Sequence, residues 1–243
     1  MTDASLPLFY KSPRVLTPGA HGQHSLAANA GYAFAAATNA VPLVAEEMAV
    51  AGRHFPVVFS DEATPYPVAI LGLRGQQNLF VDADGQWRAG TYVPAYVRRY
   101  PFIFMENEAR TELTLCIDEA APALQPGRAR PLFDDAGQPT PLARSALAFC
   151  RDYQAQHLIA AEFTKALVEA GLLVDHRADV TLHSGERLSL SGFKVIDADR
   201  FAKLPDATFL AWRAKGWLPL AYAHFFSIGA WSTLVDRVAG AAA

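Results

Sequence analysis

The sequence has almost no cysteine, no large excess of either charge, and no unbroken apolar run long enough to cross a bilayer. Its two cysteines, Cys116 and Cys150, form no C-x-x-C pair and no recognisable zinc spacing, which favours a reduced, cytoplasmic setting. A formal charge of -3 gives no global attraction to phosphate backbones or anionic lipid, so nucleic acid is not an expected partner. The opening stretch MTDASLPLFYKSPRV lacks the charged and then continuously apolar regions of a secretory signal. Asn29, Thr38, Asn39 and Pro42 interrupt the run from Leu26 to Ala45. The run from Trp217 to Trp231 carries Pro219 and His224 and is shorter than the roughly 20 residues a membrane-spanning helix needs. Both read as core sequence, and no membrane span is expected.

Several site patterns are missing as well. The chain has no G-x-x-x-x-G-K-[ST], no G-x-G-x-x-G, no H-E-x-x-H and no G-x-S-x-G. Phosphate-loop, dinucleotide, zincin and nucleophile-elbow chemistries therefore lack their mechanical core, and no cofactor or metal is expected. No internal repeat stands out.

What is present is a chain of 243 residues, 51% hydrophobic and 19% charged, enough for one large domain with a substantial core. Residues 1–30, with Pro7, Pro13 and Pro18, read as an extended arm. Residues 31–238 read as a single α+β domain, and 239–243 as a disordered small-residue tail. Gly31 to Ala36 is a candidate strand, and Pro42 opens a helix through Glu46, Glu47 and Met48 toward Gly52. Short Val-, Ile- and Phe-rich runs follow at Phe55–Phe59, Pro67–Leu73, Asn78–Val81, Phe102–Phe104 and Glu112–Ile117, separated by Gly, Asp and Pro. They predict an antiparallel meander.

Thr140 followed by Pro141 marks the start of a long helix, and Gly171 its end. Leu142, Leu147, Cys150, Tyr153, Leu158, Phe163 and Leu167 fall mainly on one face, which is expected to pack on the meander. A second hairpin turning at Ser184-Gly185 occupies Asp179 to Ile196. Helices are expected from Asp197 to Leu204, from Pro205-Asp206 to Gly216, and from Leu220 to Val238.

Candidate chemistry is sparse. Gly72-Leu73-Arg74-Gly75 matches the G-x-x-G loop that clamps RNA, but strand-like runs flank it, so a turn is the better reading. Asp82-Ala83-Asp84-Gly85 resembles the start of a calcium loop, yet the glycine comes too early and Val93 stands where a closing glutamate belongs. A plain turn is expected there too. His21, His24 and His54 are expected to be exposed and unliganded.

His224 lies in the apolar segment LAYAHFFSIG, where a ring must find partners. It serves either as a satisfied core residue or as an acid or base. Asp118 and Glu119 end a strand and point to opposite faces. In YVPAYVRRYPF, Pro94 and Pro101 leave room for at most about two helical turns. Arg98 and Arg99 are about 100° apart on such a helix, so one at most reaches a pocket or a carboxylate such as Asp118 or Glu119. Tyr96 and Tyr100 share a face.

In order, TNAVPL (38 to 43), FPVVFS (55 to 60), LGLRGQQNLFVDADGQW (71 to 87), YVPAYVRRYPF (92 to 102), LCIDE (115 to 119), PLFDDAG (131 to 137), GFKVIDADRFAKLPD (192 to 206) and LAYAHFFSIG (220 to 229) resemble the SapC family. The resemblance implies an association with bacterial surface layers, and gene neighbourhoods shared with halogenase-like and cupin-like proteins and outer-membrane receptors. It supplies no catalytic residues. Two readings follow. One is an accessory protein that binds a peptide or protein partner through Arg98, Arg99, Tyr96, Tyr100, Trp87, Asp118, Glu119 and Asn39. The other is a small-molecule enzyme with a pocket between meander and C-terminal helices, using His224 and an arginine.

Overall fold

The computed structural model describes residues 6–28, 30–106, 113–182 and 185–241. Strand β1 (Pro13–Val15), helix α1 (Pro18–His21) and β2 (His24–Leu26) come first. A 3-10 turn (Ala33–Ala35), β3 (Ala40–Pro42), a second 3-10 turn (Ala45–Glu47) and α2 (Met48–Ala51) follow. Next are β4 (Val57–Ser60), β5 (Pro67–Ile70), α3 (Ala95–Arg99), β6 (Phe102–Glu106), β7 (Leu113–Asp118) and β8 (Leu124–Pro126). The rest comprises α4 (Pro141–Glu169), β9 (Leu173–Thr181), β10 (Arg187–Ile196), α5 (Ala198–Phe201), α6 (Asp206–Ala214), α7 (Leu218–Ser227) and α8 (Ala230–Ala241). Antiparallel sheets with a long helix and C-terminal helices make this an α+β fold.

The chain divides into two compact units. The first takes the N-terminal segment up to Gly31 and then Arg98–Ala155; the second takes Tyr32–Val97 and everything from Gln156. The first contains the sheet β1-β7-β6 and the ribbon β2-β8. The N-terminal arm thus enters the fold as strands, with Arg14 opposite Ile117 and Ser25 opposite Gln125. Alternation along β6 and β7 sorts their side chains. Phe102, Phe104, Leu115 and Ile117 pack with Leu142, Ala146 and Cys150 of α4, whereas Ile103, Met105 and Cys116 pack with Phe9, Tyr10 and Tyr100.

The second unit holds a five-stranded sheet ordered β3-β5-β4-β10-β9. The expected meander is therefore shared out between sheets: β4-β5 joins the late hairpin β9-β10, while β6-β7 joins the arm. Phe163, from the second half of α4, lies near Phe59, Trp212 and Trp217. Buried positions on α4 run Ala143, Cys150, Tyr153, Ala160, Phe163, Thr164, Leu167. Leu158, expected on that stripe, is 56% exposed, because five residues from Tyr153 and five from Phe163 turn it away from both.

Other local expectations give way. Gly31 to Ala36 is a 3-10 turn rather than a strand, entered through Gly31 at φ 63° and tied by Tyr32 N–H to Gly85 O. Pro42 ends β3 instead of opening a helix, which leaves only α2 before Gly52. Asn78–Val81 is not a strand; only Val81 bridges, to Trp87. The expected helix 220–238 is broken between α7 and α8 around Gly229, the weakest helix former of the segment, and just after Ser227, whose hydroxyl bonds the carbonyl of His224. The tail is helical as far as Ala241. Glu112 and Ser184 of the expected strand and hairpin lie outside the described residues.

One turn occurs twice. In LFVDADGQW the Asp82 carboxylate accepts from the N–H of Asp84 and Gln86, and Asp82 N–H bonds Gln86 O at 2.9 Å. In PLFDDAGQP, Asp134 repeats each bond with Ala136 and Gln138. Gly85 and Gly137 sit at φ 72° and 74°, and the bridges Val81–Trp87 and Phe133–Pro139 close the two turns alike. The loop that resembled a calcium site is thus an Asx-type turn, its carboxylate spent on backbone donors. We expect Gly85→Ala and Gly137→Ala each to lose about 1 kcal/mol from the left-handed backbone alone. Gly85→Ala should cost more, since its new Cβ would meet Ala33 Cβ at 3.0 Å whereas nothing lies nearer than 3.6 Å at Gly137; denaturant unfolding measures both.

Candidate functional site

A buried carboxylate anchors the segment from Tyr92 to Tyr100 at each of its ends. In the second unit Glu47, 2% exposed, accepts from Val44 N–H at 2.9 Å, Ala95 N–H at 2.7 Å and the Tyr92 hydroxyl at 3.0 Å. The bond to Ala95 satisfies a first-turn donor of α3, directly behind Pro94. In the first unit Asp118 is fully buried. It accepts from Ser12 N–H at 2.7 Å, Lys11 N–H at 3.1 Å, Ala120 N–H at 3.3 Å and the Tyr100 hydroxyl at 3.1 Å. Burial, and then the neighbouring Asp118 carboxylate, raise the Tyr100 phenol well above its ordinary value. Its proton is held for the hydrogen bond.

Between these anchors α3 is a single turn and a half, so Arg98 and Arg99 diverge. Arg99 is 9% exposed, with its guanidinium 4.3 Å from the Tyr153 ring centre and 5.7 Å from that of Tyr10. Arg98 is exposed and lies 5.1 Å from the Phe149 ring centre. Both nevertheless line one cavity of about 320 Å³ in the first unit, walled by Phe102, Leu142, Phe149 and Cys150. Ser145 adds the one hydroxyl from α4. Burial pushes the Cys150 thiol up to about 11, with Arg99 opposing the rise, so near neutrality it is a protonated apolar wall rather than a nucleophile. A broader groove of about 660 Å³ lies along α4 and α6 in the second unit. Glu162, Lys165, Glu169 and Lys215 line it with both signs of charge, as on any solvated face.

The SapC family model matches residues 16–234. The chain belongs to the SapC family. No curated protein and no solved structure matches it.

In this SapC-family chain the residues expected at a site are dispersed. Arg98, Arg99, Tyr100 and Asp118 cluster in the first unit, with Glu119 exposed just past the end of β7. Tyr96 is buried in the second unit. Trp87, also there, packs with Tyr32, Phe55 and Phe80. Asn39 contributes its backbone carbonyl to Leu71 N–H at 2.7 Å. His21, expected to be exposed, is 1% exposed: Thr17 caps α1, which turns the ring inward to lie 3.4 Å from Glu119. Phe149, Ser145 and Tyr153 on α4 were not among the expected site residues. Tyr153 was read only as part of the apolar stripe, and Ser145 and Phe149 were hinted at only by lying next to it. Among the described residues no helix is long and apolar enough to cross a membrane.

His224 sits at the centre of the second unit. Its Nδ1–H donates to Val57 O at 2.7 Å and its Nε2 accepts from Ile196 N–H at 3.1 Å, an arrangement that fixes the tautomer. The ring therefore staples α7 to β4 and β10, and at 1% exposure it has no nitrogen left for a substrate. Burial is the main cause that lowers its pKa from 6.5 to about 4. Because the folded value is depressed, the unfolded chain takes up a proton first as pH falls. The stabilisation is complete above about pH 6.5 and is lost progressively toward pH 4, by roughly 3 kcal/mol. His224→Gln, which keeps a donor and an acceptor, should flatten this part of the stability–pH profile in denaturant titrations; an unchanged slope would refute the assignment.

Proposed function

We propose that this SapC-family chain is a binding protein that recognises a peptide or protein partner, with the Arg98–Arg99 cavity of the first unit as its recognition pocket. One observation carries the reading: the cavity combines two arginines with apolar walls and, among the described residues, is lined by no histidine, carboxylate or ionised thiol. Such a lining can hold a group but offers no acid or base near neutrality. Its volume, about 320 Å³, is at the small end of ligand pockets, suiting one apolar side chain with an adjacent carboxylate better than a whole metabolite. Arginines over aromatic rings supply a planar, charged fork that matches a carboxylate. Two buried free thiols suit a reducing, cytoplasmic setting. The family's association with surface layers makes precursors of surface-layer or outer-membrane uptake components the first partners to test.

Immobilised protein should recover a partner from native extracts at low salt, identified by mass spectrometry, and a synthetic peptide from that partner should bind in isothermal titration. Arg98→Ala should weaken the peptide about tenfold, the loss expected for one charge-assisted contact. Ala146→Trp, which fills the cavity, should abolish binding. Affinity unchanged in both variants would sink the reading, as would turnover of a metabolite by a chain that recovers no partner.

A further inference from the structure

A second cluster, in the other unit, has a composition that the fold alone does not explain. Phe55, Phe80 and Trp87 form an aromatic knot, with ring centres 4.5 Å apart for Phe55–Phe80 and 6.1 Å for the stacked pair Phe80–Trp87. Arg237 of α8 places its guanidinium 4.6 Å from the Phe80 ring centre. Arg88 follows Trp87 directly and uses its Nε on Leu79 O at 2.9 Å, which leaves its terminal nitrogens for other work. His54 abuts Phe55, with Arg53 beside it. The charged groups that act on His54 are Arg53 and Arg237, and the one that acts on Arg237 is Arg88. Each lowers its neighbour's affinity for a proton, after burial as the larger cause.

Among the described residues no carboxylate lies within ion-pair distance of Arg53, Arg88 or Arg237. Two donors in this cluster are also buried without an acceptor: the indole N–H of Trp87, a residue 9% exposed, and Nε of Arg237. Stacking on Phe80 attracts the Arg237 charge but gives its N–H no oxygen. Arg237 and Trp87, both packed on Phe80 and each with a buried N–H that meets no acceptor, are costly unless an anion completes them.

We infer that Arg237 and Arg88, with the Trp87 indole N–H, form a binding site for a phosphate group, either a phosphate monoester or the free ion. Two permanent positive charges with no carboxylate in ion-pair reach match a dianion rather than a single carboxylate. The guanidinium forks and the indole supply donors for several phosphate oxygens, and Phe80 and Trp87 form the apolar floor. Burial, and then the Arg53 and Arg237 charges, lower the proton affinity of His54, an effect that a bound anion would offset. This site lies in a different unit from the recognition cavity and uses none of its residues.

The four tryptophans give four indole N–H signals in a nitrogen-15 correlation spectrum, and Trp87→Phe assigns the one that matters. Inorganic phosphate and glycerol phosphate should each be titrated into the whole chain, with acetate at matched ionic strength as a third arm. The Trp87 signal should move saturably with a phosphate probe and stay put with acetate, while the Trp212, Trp217 and Trp231 signals hold still. Tighter binding of the ester would identify an organic phosphate as the ligand, and tighter binding of the inorganic ion the free anion. Arg88→Gln and Arg237→Gln should each weaken binding about tenfold. Arg88 is exposed, so Arg88→Gln decides the matter should the other variant fail to fold. A Trp87 signal unmoved by both phosphates, an equal response to acetate, or an affinity indifferent to Arg88→Gln would overturn the site.

Discussion

A carboxylate taken out of water must be surrounded by donors, and Asp118 meets that demand in a way that organises the first unit. Its oxygens collect three backbone N–H groups and one phenol, drawn from the N-terminal arm, from the turn after β7 and from Tyr100. Each bond to an ionised acceptor is worth about 1.5–3 kcal/mol, and the penalty for leaving the charge unmatched is larger still. The arm is thereby held against β7, and β1 can pair there. The same interaction fixes Tyr100 next to the two arginines, so the cavity wall and the sheet share one keystone. Glu47 plays the corresponding part in the second unit, where it fixes the start of α3.

His224 and Asp118 show two solutions to the same problem. The imidazole is buried neutral, with one nitrogen donating and the other accepting. The carboxylate is buried with donors on all sides. In both cases backbone groups complete the shell. This ties polar side chains to strand geometry rather than to solvent, and leaves neither of them a reacting group. Arg98, Arg99 and Ser145, which line the cavity of the first unit, come from helices, where the side chains project beyond the backbone's own hydrogen bonds.

Much of the fold was legible in the sequence, and the limits have physical causes. The long helix announced itself through Thr140 and Pro141 at one end and Gly171 at the other, because capping is a local interaction. The strands were legible for the same reason, by alternation and by Gly and Asp between them. Which strand pairs with which was not, since β4 meets β10 across more than a hundred residues and no local signal encodes that choice. The site fared similarly. Divergence of Arg98 and Arg99 follows from helix geometry and could be read directly, whereas the contribution of Phe149 and Tyr153 depends on α4 docking beside α3 in space. Burial of His21 was missed because a four-residue helix too short for any periodic signal turns it inward.

The connectivity of the two units has a consequence for shortened chains. Each unit is assembled from two separated stretches, and the stretches alternate along the chain. A stop after residue 155 keeps every residue of the first unit yet strands β3, β4 and β5 without β10 and β9, leaving β4 with a bare edge. No single contiguous fragment contains one unit complete and nothing of the other. Either can be isolated only by rejoining the chain, residue 31 to 98 or residue 97 to 156, so no simple truncation separates the two units.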